Sequence, residues 1–137
     1  MTSQEQIVAL LENFTAAECY GEFLAKYATK DFIFVRPSGN PINASGFTEM
    51  RASGDLQHGY TDVKKIHKLE FLSDKVAMCV FSLRSSFVYK NIQNSDLATV
   101  TAILKKLNTE WKISWMQRSS GQSDIILWEK YSLFLSN

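Results

Sequence analysis

The chain has 137 residues, near the commonest size of a single domain, so one domain over 1–137 is expected. Its 45% hydrophobic and 21% charged content excludes a disordered chain. Fifteen Lys plus Arg against fourteen Asp plus Glu leave no broad cationic footprint, so no nucleic-acid partner is expected.

Residues 1–6 carry no basic segment followed by an apolar one, so no secretory signal is read and a cytoplasmic setting is expected. No run approaches the ~20 apolar residues of a membrane span, so no membrane partner is expected. Ser3 with Gln6 reads as a capping box opening a helix over 3–16. Ile7, Leu10, Leu11 and Phe14 supply its i, i+3, i+4, i+7 face. A second helical face follows at Tyr20, Phe23, Leu24 and Tyr27, weakened by Gly21. The period then shortens. Phe32 to Val35 is a strand signal, stopped by the turn-rich Pro37-Ser38-Gly39-Asn40-Pro41. Phe47 to Ser53 reads as a short helix ended by Gly54.

From Asp62 onward the pattern is almost all strand. Strands are expected over Val63–Leu72, Lys75–Lys90, Leu97–Leu107 and Trp111–Ser119, with polar turns at Ser73-Asp74, Asn91–Ser95 and Asn108–Glu110. Short turns make consecutive strands antiparallel neighbours. Helices first and an antiparallel sheet after is the α+β order. In the tail, Leu127, Trp128, Tyr131, Phe134 and Leu135 fit a helical face after an Asp124 cap. Ile125, Leu127 and Leu133 also suit a strand. These large apolar side chains must pack on their own sheet or on a second subunit, and deletion of 124–137 should lower stability or dissociate an oligomer.

Cys19 and Cys79 are too few for a disulfide scaffold and are expected as reduced core residues. His58 and His67 lack metal-ligand spacing. Neither a metal nor any other cofactor is expected.

Two segments carry a family resemblance. One is Asp31-Phe32-Ile33-Phe34-Val35-Arg36-Pro37-Ser38-Gly39-Asn40-Pro41; the other runs from Leu104 through Trp111-Lys112-Ile113 to Gln117-Arg118-Ser119-Ser120-Gly121. In this order and separation the chain, over about residues 3–121, resembles the nuclear-transport-factor-two-like superfamily. That group includes SnoaL-like polyketide cyclases, ketosteroid isomerases, scytalone dehydratase and the calcium/calmodulin-dependent kinase association domain. The resemblance implies a cystatin-like α+β fold: a cone-shaped, curved antiparallel sheet wrapped around the N-terminal helices. It implies a ligand pocket at the cone's mouth and a homodimer through the outer sheet face.

The isomerase branch carries its proton-shuttling aspartate where this chain has Arg36, which stays protonated and cannot act as an ordinary base. Its oxygen-stabilising acid has no counterpart in Ala98–Ala102. His67 and Glu70, three apart on a strand, are expected on opposite faces, which disfavours a dehydratase pair. The association-domain branch lines its pocket with arginines, matched here by Arg84 and Arg118, while its third falls near Ala102. Arg36 adds charge from the first loop. The expected ligand-binding residues are therefore Arg36, Arg84 and Arg118, with Tyr20 and Tyr27 on the covering helix, and the expected ligand is a small anionic or amphipathic molecule. Plainer roles stand beside these: Arg84 paired with Glu70 or Asp96 or simply exposed, Arg118 at a solvated strand end, Arg36 capping its loop, the tyrosines in the core. Trp111 and Trp115 are expected with Ile113 on one packing face. An isomerase, hydratase or cyclase, and a pure association domain, are the competing readings. An acid or histidine facing the cavity would favour the enzyme.

Overall fold

The computed structural model describes residues 1–16, 20–54 and 56–122; among these, the side chains of 15–16, 20–23, 51, 56, 58–60, 64, 96 and 120–122 are not described. The expectations for Cys19, for the Tyr20 side chain and for the tail fall outside that description. The elements run α1 (Ser3–Ala16), α2 (Tyr20–Tyr27), β1 (Ala28–Val35), β2 (Pro41–Asn43), α3 (Ala44–Ala52), β3 (Leu56–Phe71), β4 (Val76–Tyr89), β5 (Ile92–Leu107) and β6 (Glu110–Gln122). One six-stranded sheet has the order β2-β1-β6-β5-β4-β3. It is an α+β fold, with the helices on one face of the sheet.

α1 spans the expected residues, but its cap lies one residue earlier. The Glu5 amide donates to Thr2 Oγ1 at 3.1 Å, and the Thr2 hydroxyl donates to Glu5 Oε1 at 3.2 Å. Thr2 and Glu5 thus take the role read for Ser3 and Gln6. Ile7, Leu10 and Leu11 are buried on the helical face, against Phe32, Phe81, Val100, Leu104, Ile113 and Met116 of the sheet.

β3 to β6 form the expected antiparallel meander. The β4–β5 turn is tighter than read. Lys90 and Asn91 both have positive φ, 49° and 65°, the geometry of a two-residue hairpin that matches strand twist. β5 therefore starts at Ile92 rather than Leu97. The sheet is mixed, because β1 pairs parallel to β6. β2, an edge strand of three residues that starts at the last residue of the expected loop, pairs antiparallel to β1. Pro41 begins it, a position where the missing N–H costs little.

Parity along β4 sets the two faces. Ala77, Cys79, Phe81, Leu83 and Ser85 are all buried and look toward the helices. Val76, Met78, Val80 and Arg84 alternate with them and are partly exposed on the outer face. Cys79 is a free, fully buried thiol whose pKa burial pushes up to about 11.

Of the register shifts in the sheet, two bear on the expected faces. In β3, Ile66 pairs with Phe81 and Lys68 with Val80, so His67 is an extra residue with no register partner. Ile66 packs on the core, while His67, Lys68 and Glu70 all lie on the outer side. His67 and Glu70 thus share a face, contrary to simple alternation. In β6, Ile113 pairs with Leu104 and Trp115 with Ile103, leaving Ser114 as the extra residue. Trp111 (4% exposed) and Ile113 stay in the core, Met116 follows them, and Trp115 turns to the outer face beside Ile33. The two tryptophans therefore do not share a face.

Candidate functional site

The concave face of the sheet is apolar under α1 and changes character toward the end of β6. The register aligns Ala102 with Met116 and Val100 with Arg118, so Arg118 continues the inward row after Met116. Its Nη2 donates to Ser85 Oγ at 2.7 Å. Its guanidinium carbon lies 5.5 Å from the centre of the Phe87 ring. Ser85 and Phe87 continue the inward row of β4 beyond Phe81 and Leu83. A serine anchor and an aromatic face fix the plane of the guanidinium, the arrangement that lets its donor fork meet a planar anion. The register also sets Asp96 opposite Ser85.

Arg36 follows β1 directly. Phe34 pairs with Met116 and Val35 with Gln117, so Arg36 stands one step past that register, as Arg118 does on β6. Its Nε donates to the Asn40 carbonyl at 3.1 Å, and its Nη1 lies 3.7 Å from Met50 Sδ on α3. The Gly39 amide closes the same loop onto the Arg36 carbonyl at 2.8 Å, with Gly39 at a φ of 86° that a side chain would strain. Arg36 thus caps its own loop and touches α3. Phe34 stacks on Phe47 of α3 at 5.6 Å and fixes that helix over the strand.

Of the residues expected to line a site, the backbone brings Arg36 and Arg118 to neighbouring positions. Arg84 is not with them: it alternates with Leu83 and Ser85 and lies on the outer face, opposite Asp62 and Leu97 in register. Tyr27 is half-buried and packs on the core, with Lys26 Nζ 5.1 Å from its ring centre. Tyr20 begins α2. Ser85, Phe87 and Met50 were missed as site residues. The first two were within reach, since they extend the odd-numbered series Cys79, Phe81, Leu83.

Asp55 and the side chains of His58 and Asp96 lie outside the described residues; the other titratable groups that would serve an enzyme sit away from Arg118. Glu70 is on the outer face, 3.3 Å from Lys68. Asp31 is exposed, and the Thr29 hydroxyl donating to it at 2.6 Å holds its carboxyl below the ordinary value. His67 Nε2 lies 2.6 Å from Ser82 Oγ, itself 3.0 Å from Thr99 Oγ1, again on the outer face. Among the described residues no His, Cys, Asp or Glu group is placed to hold a metal. A groove of about 530 Å³ runs along α1, lined by Thr2, Gln4, Glu5, Val8, Ala9 and Glu12. Its two carboxylates make it unsuited to an anion.

Over residues 2–129 the chain matches the family described as a protein of unknown function, DUF3804. The chain belongs to the DUF3804 family. A solved NTF2-like protein of unknown function from Prochlorococcus marinus is 52% identical to this DUF3804 chain, with a TM-score of 0.83 over 93% of this chain and 100% of that one. The nuclear-transport-factor-two-like resemblance therefore holds. Two more distant structures share the fold. A putative calcium/calmodulin-dependent kinase II association domain from Exiguobacterium sibiricum is 16% identical, with TM-score 0.76 over 90% of this chain and 98% of that one. A hexachlorocyclohexane dehydrochlorinase is 15% identical, with TM-score 0.71 over 90% of each chain. No curated protein matches the chain. Among the described residues of this DUF3804 protein, no helix is long and apolar enough to cross a membrane.

Proposed function

We propose that this DUF3804 protein is a homodimeric binder of a small anion, held on the concave face by Arg118 with Arg36 beside it. The observation that carries the reading is the Arg118 guanidinium, anchored by Ser85 at 2.7 Å and laid over Phe87. A carboxylate is the favoured class, because a guanidinium held in a fixed plane matches its planar geometry. Phe87 and the Met50 thioether give an amphipathic ligand an apolar wall. Tyr20 and Tyr27 belong to the same reading, as hydroxyls on the helix that covers this face. The outer sheet face, with Ile33, Val76, Met78, Val80, Ile103 and Trp115 only partly covered, supports association with a second copy.

The enzyme reading has less behind it. Arg36 fills the position of a proton shuttle, and Glu70 lies outside the concave face. The dehydrochlorinase is alike in fold only.

A thermal-shift screen with small carboxylates tests the proposal. At a hundred times Kd, a bound ligand should raise Tm by roughly 5–10 °C. Arg118→Ala should abolish the shift, Arg36→Ala should reduce it, and Arg84→Ala should leave it. Equal shifts in wild type and Arg118→Ala would end the proposal.

A further inference from the structure

His67 takes no part in the concave site, and its surroundings are unusual. The β3 bulge makes it the unpaired residue and aims its ring at β4. Nε2 lies 2.6 Å from Ser82 Oγ, and Ser82 Oγ lies 3.0 Å from Thr99 Oγ1 on β5. Ser82 is 1% exposed. The other ring nitrogen, Nδ1, is buried without a hydrogen-bond partner.

This inventory fixes the protons. A buried N–H without an acceptor costs more than a bare ring nitrogen, so the proton of the neutral ring sits on Nε2 and Nδ1 is bare. His67 then donates to Ser82. Ser82 and Thr99 share a hydroxyl–hydroxyl bond in which either can donate. The row runs across three strands. A proton taken up on Nδ1 makes a second, buried donor with no acceptor.

The acids of this face give Nδ1 no acceptor: Glu70 is held by Lys68, and Asp62 stands opposite Arg84 in register. On β3, Lys65 raises the local positive potential, and Lys68 is already paired with Glu70. On β4 the next outward side chain from Ser82 is Arg84, and on β5 the neighbours Thr99 and Thr101 are uncharged. Burial first, then Lys65, hold the His67 pKa below its ordinary 6.5.

We propose that His67 is an acid-released clasp: neutral, it ties β3 to β4 and through Ser82 to β5, and protonated, it breaks from Ser82 and loosens the outer face, the face read above as the dimer interface. The sign follows from linkage. The unfolded chain takes up this proton near pH 6.5 and the folded chain only lower. The stabilisation is therefore complete above about pH 6.5 and is lost as pH falls below it, toward the folded pKa.

The chain has two histidines, which makes the test clean. Imidazole 15N chemical shifts should be followed from pH 8 to 5, with His58→Gln to assign the two rings. Melting should be compared at pH 7.5 and 5.5 for wild type, His67→Gln and His58→Gln. The expected result is a neutral Nε2–H ring for His67, a midpoint below 6.5, and an acid loss of Tm about 3–5 °C larger in wild type than in His67→Gln. An Nδ1–H tautomer, a midpoint at or above 6.5, or the same acid loss in His67→Gln would overturn the clasp. Should His67→Gln not fold, the wild-type titration decides alone.

Discussion

Arg118 and Arg84 lie on strands separated only by β5, and their roles divide on parity. Arg118 continues the inward row after Met116, whereas Arg84 falls between the buried Leu83 and Ser85 and points the other way. Both are picked out through the family resemblance; their faces are not legible, because the motif that matches them carries no register. In the proposed anion site, Arg118 would act through its fixed plane as much as its charge. Arg118→Lys keeps the charge but loses the fork over Phe87, so carboxylate affinity should fall about tenfold, read as a smaller thermal shift at equal ligand. Cys79 is the opposite case, a residue whose role composition already gave. Fully buried, with its thiol pushed to about 11, it holds almost no thiolate at pH 8. In a Cys19→Ala background, a disulfide probe should react with native protein about a hundredfold more slowly than with unfolded protein. Labelling at the unfolded rate would show that this part of the core opens readily.

At the scale of elements, the helices and the four long strands could be read because each buries one continuous face, and burial writes a period into the sequence. Three features could not. β2 has three residues, too few to show a period, and directly follows a loop rich in turn formers. The parallel pairing of β1 to β6 joins segments some eighty residues apart, and nothing local encodes it. The bulges at His67 and Ser114 add one residue each, so the alternation that kept Ile113 with Trp111 misplaced Glu70 relative to His67, and Trp115 relative to Trp111. The α1 cap is a milder case. Thr2-Ser3-Gln4-Glu5-Gln6 contains two overlapping boxes, and the acidic one was used, since a carboxylate in the first turn also meets the helix dipole. Thr2→Ala should therefore destabilise the protein by about 1 kcal/mol and Ser3→Ala by much less, measured by urea unfolding. The reverse order would return the cap to Ser3.

The whole molecule presents a sheet with two unlike faces, and the difference argues for assembly. The inner face is closed by α1, α2 and α3 over a continuous core. On the outer face Val76, Met78, Val80, Ile103 and Trp115 are partly exposed, and Ile33 is 42% exposed. A stable homodimer buries roughly 800 Å² from each partner, an area that a face of four long strands supplies. Trp115 is central to it: Ile103 pairs with it on one side and Ile33 on the other. Trp115→Glu places a charge there that two copies bring together, at a cost of several kcal/mol. Sedimentation velocity should show wild type as a dimer and the variant as a monomer. The carboxylate thermal shift separates this loss from unfolding, because Arg118 lies on the other face and needs no partner copy to hold its place. A monomeric Trp115→Glu that keeps the shift fits both halves of the proposal. A wild type that sediments as a monomer at tens of micromolar removes the dimer while leaving the anion site standing. A variant that stays dimeric puts the interface somewhere other than the outer face.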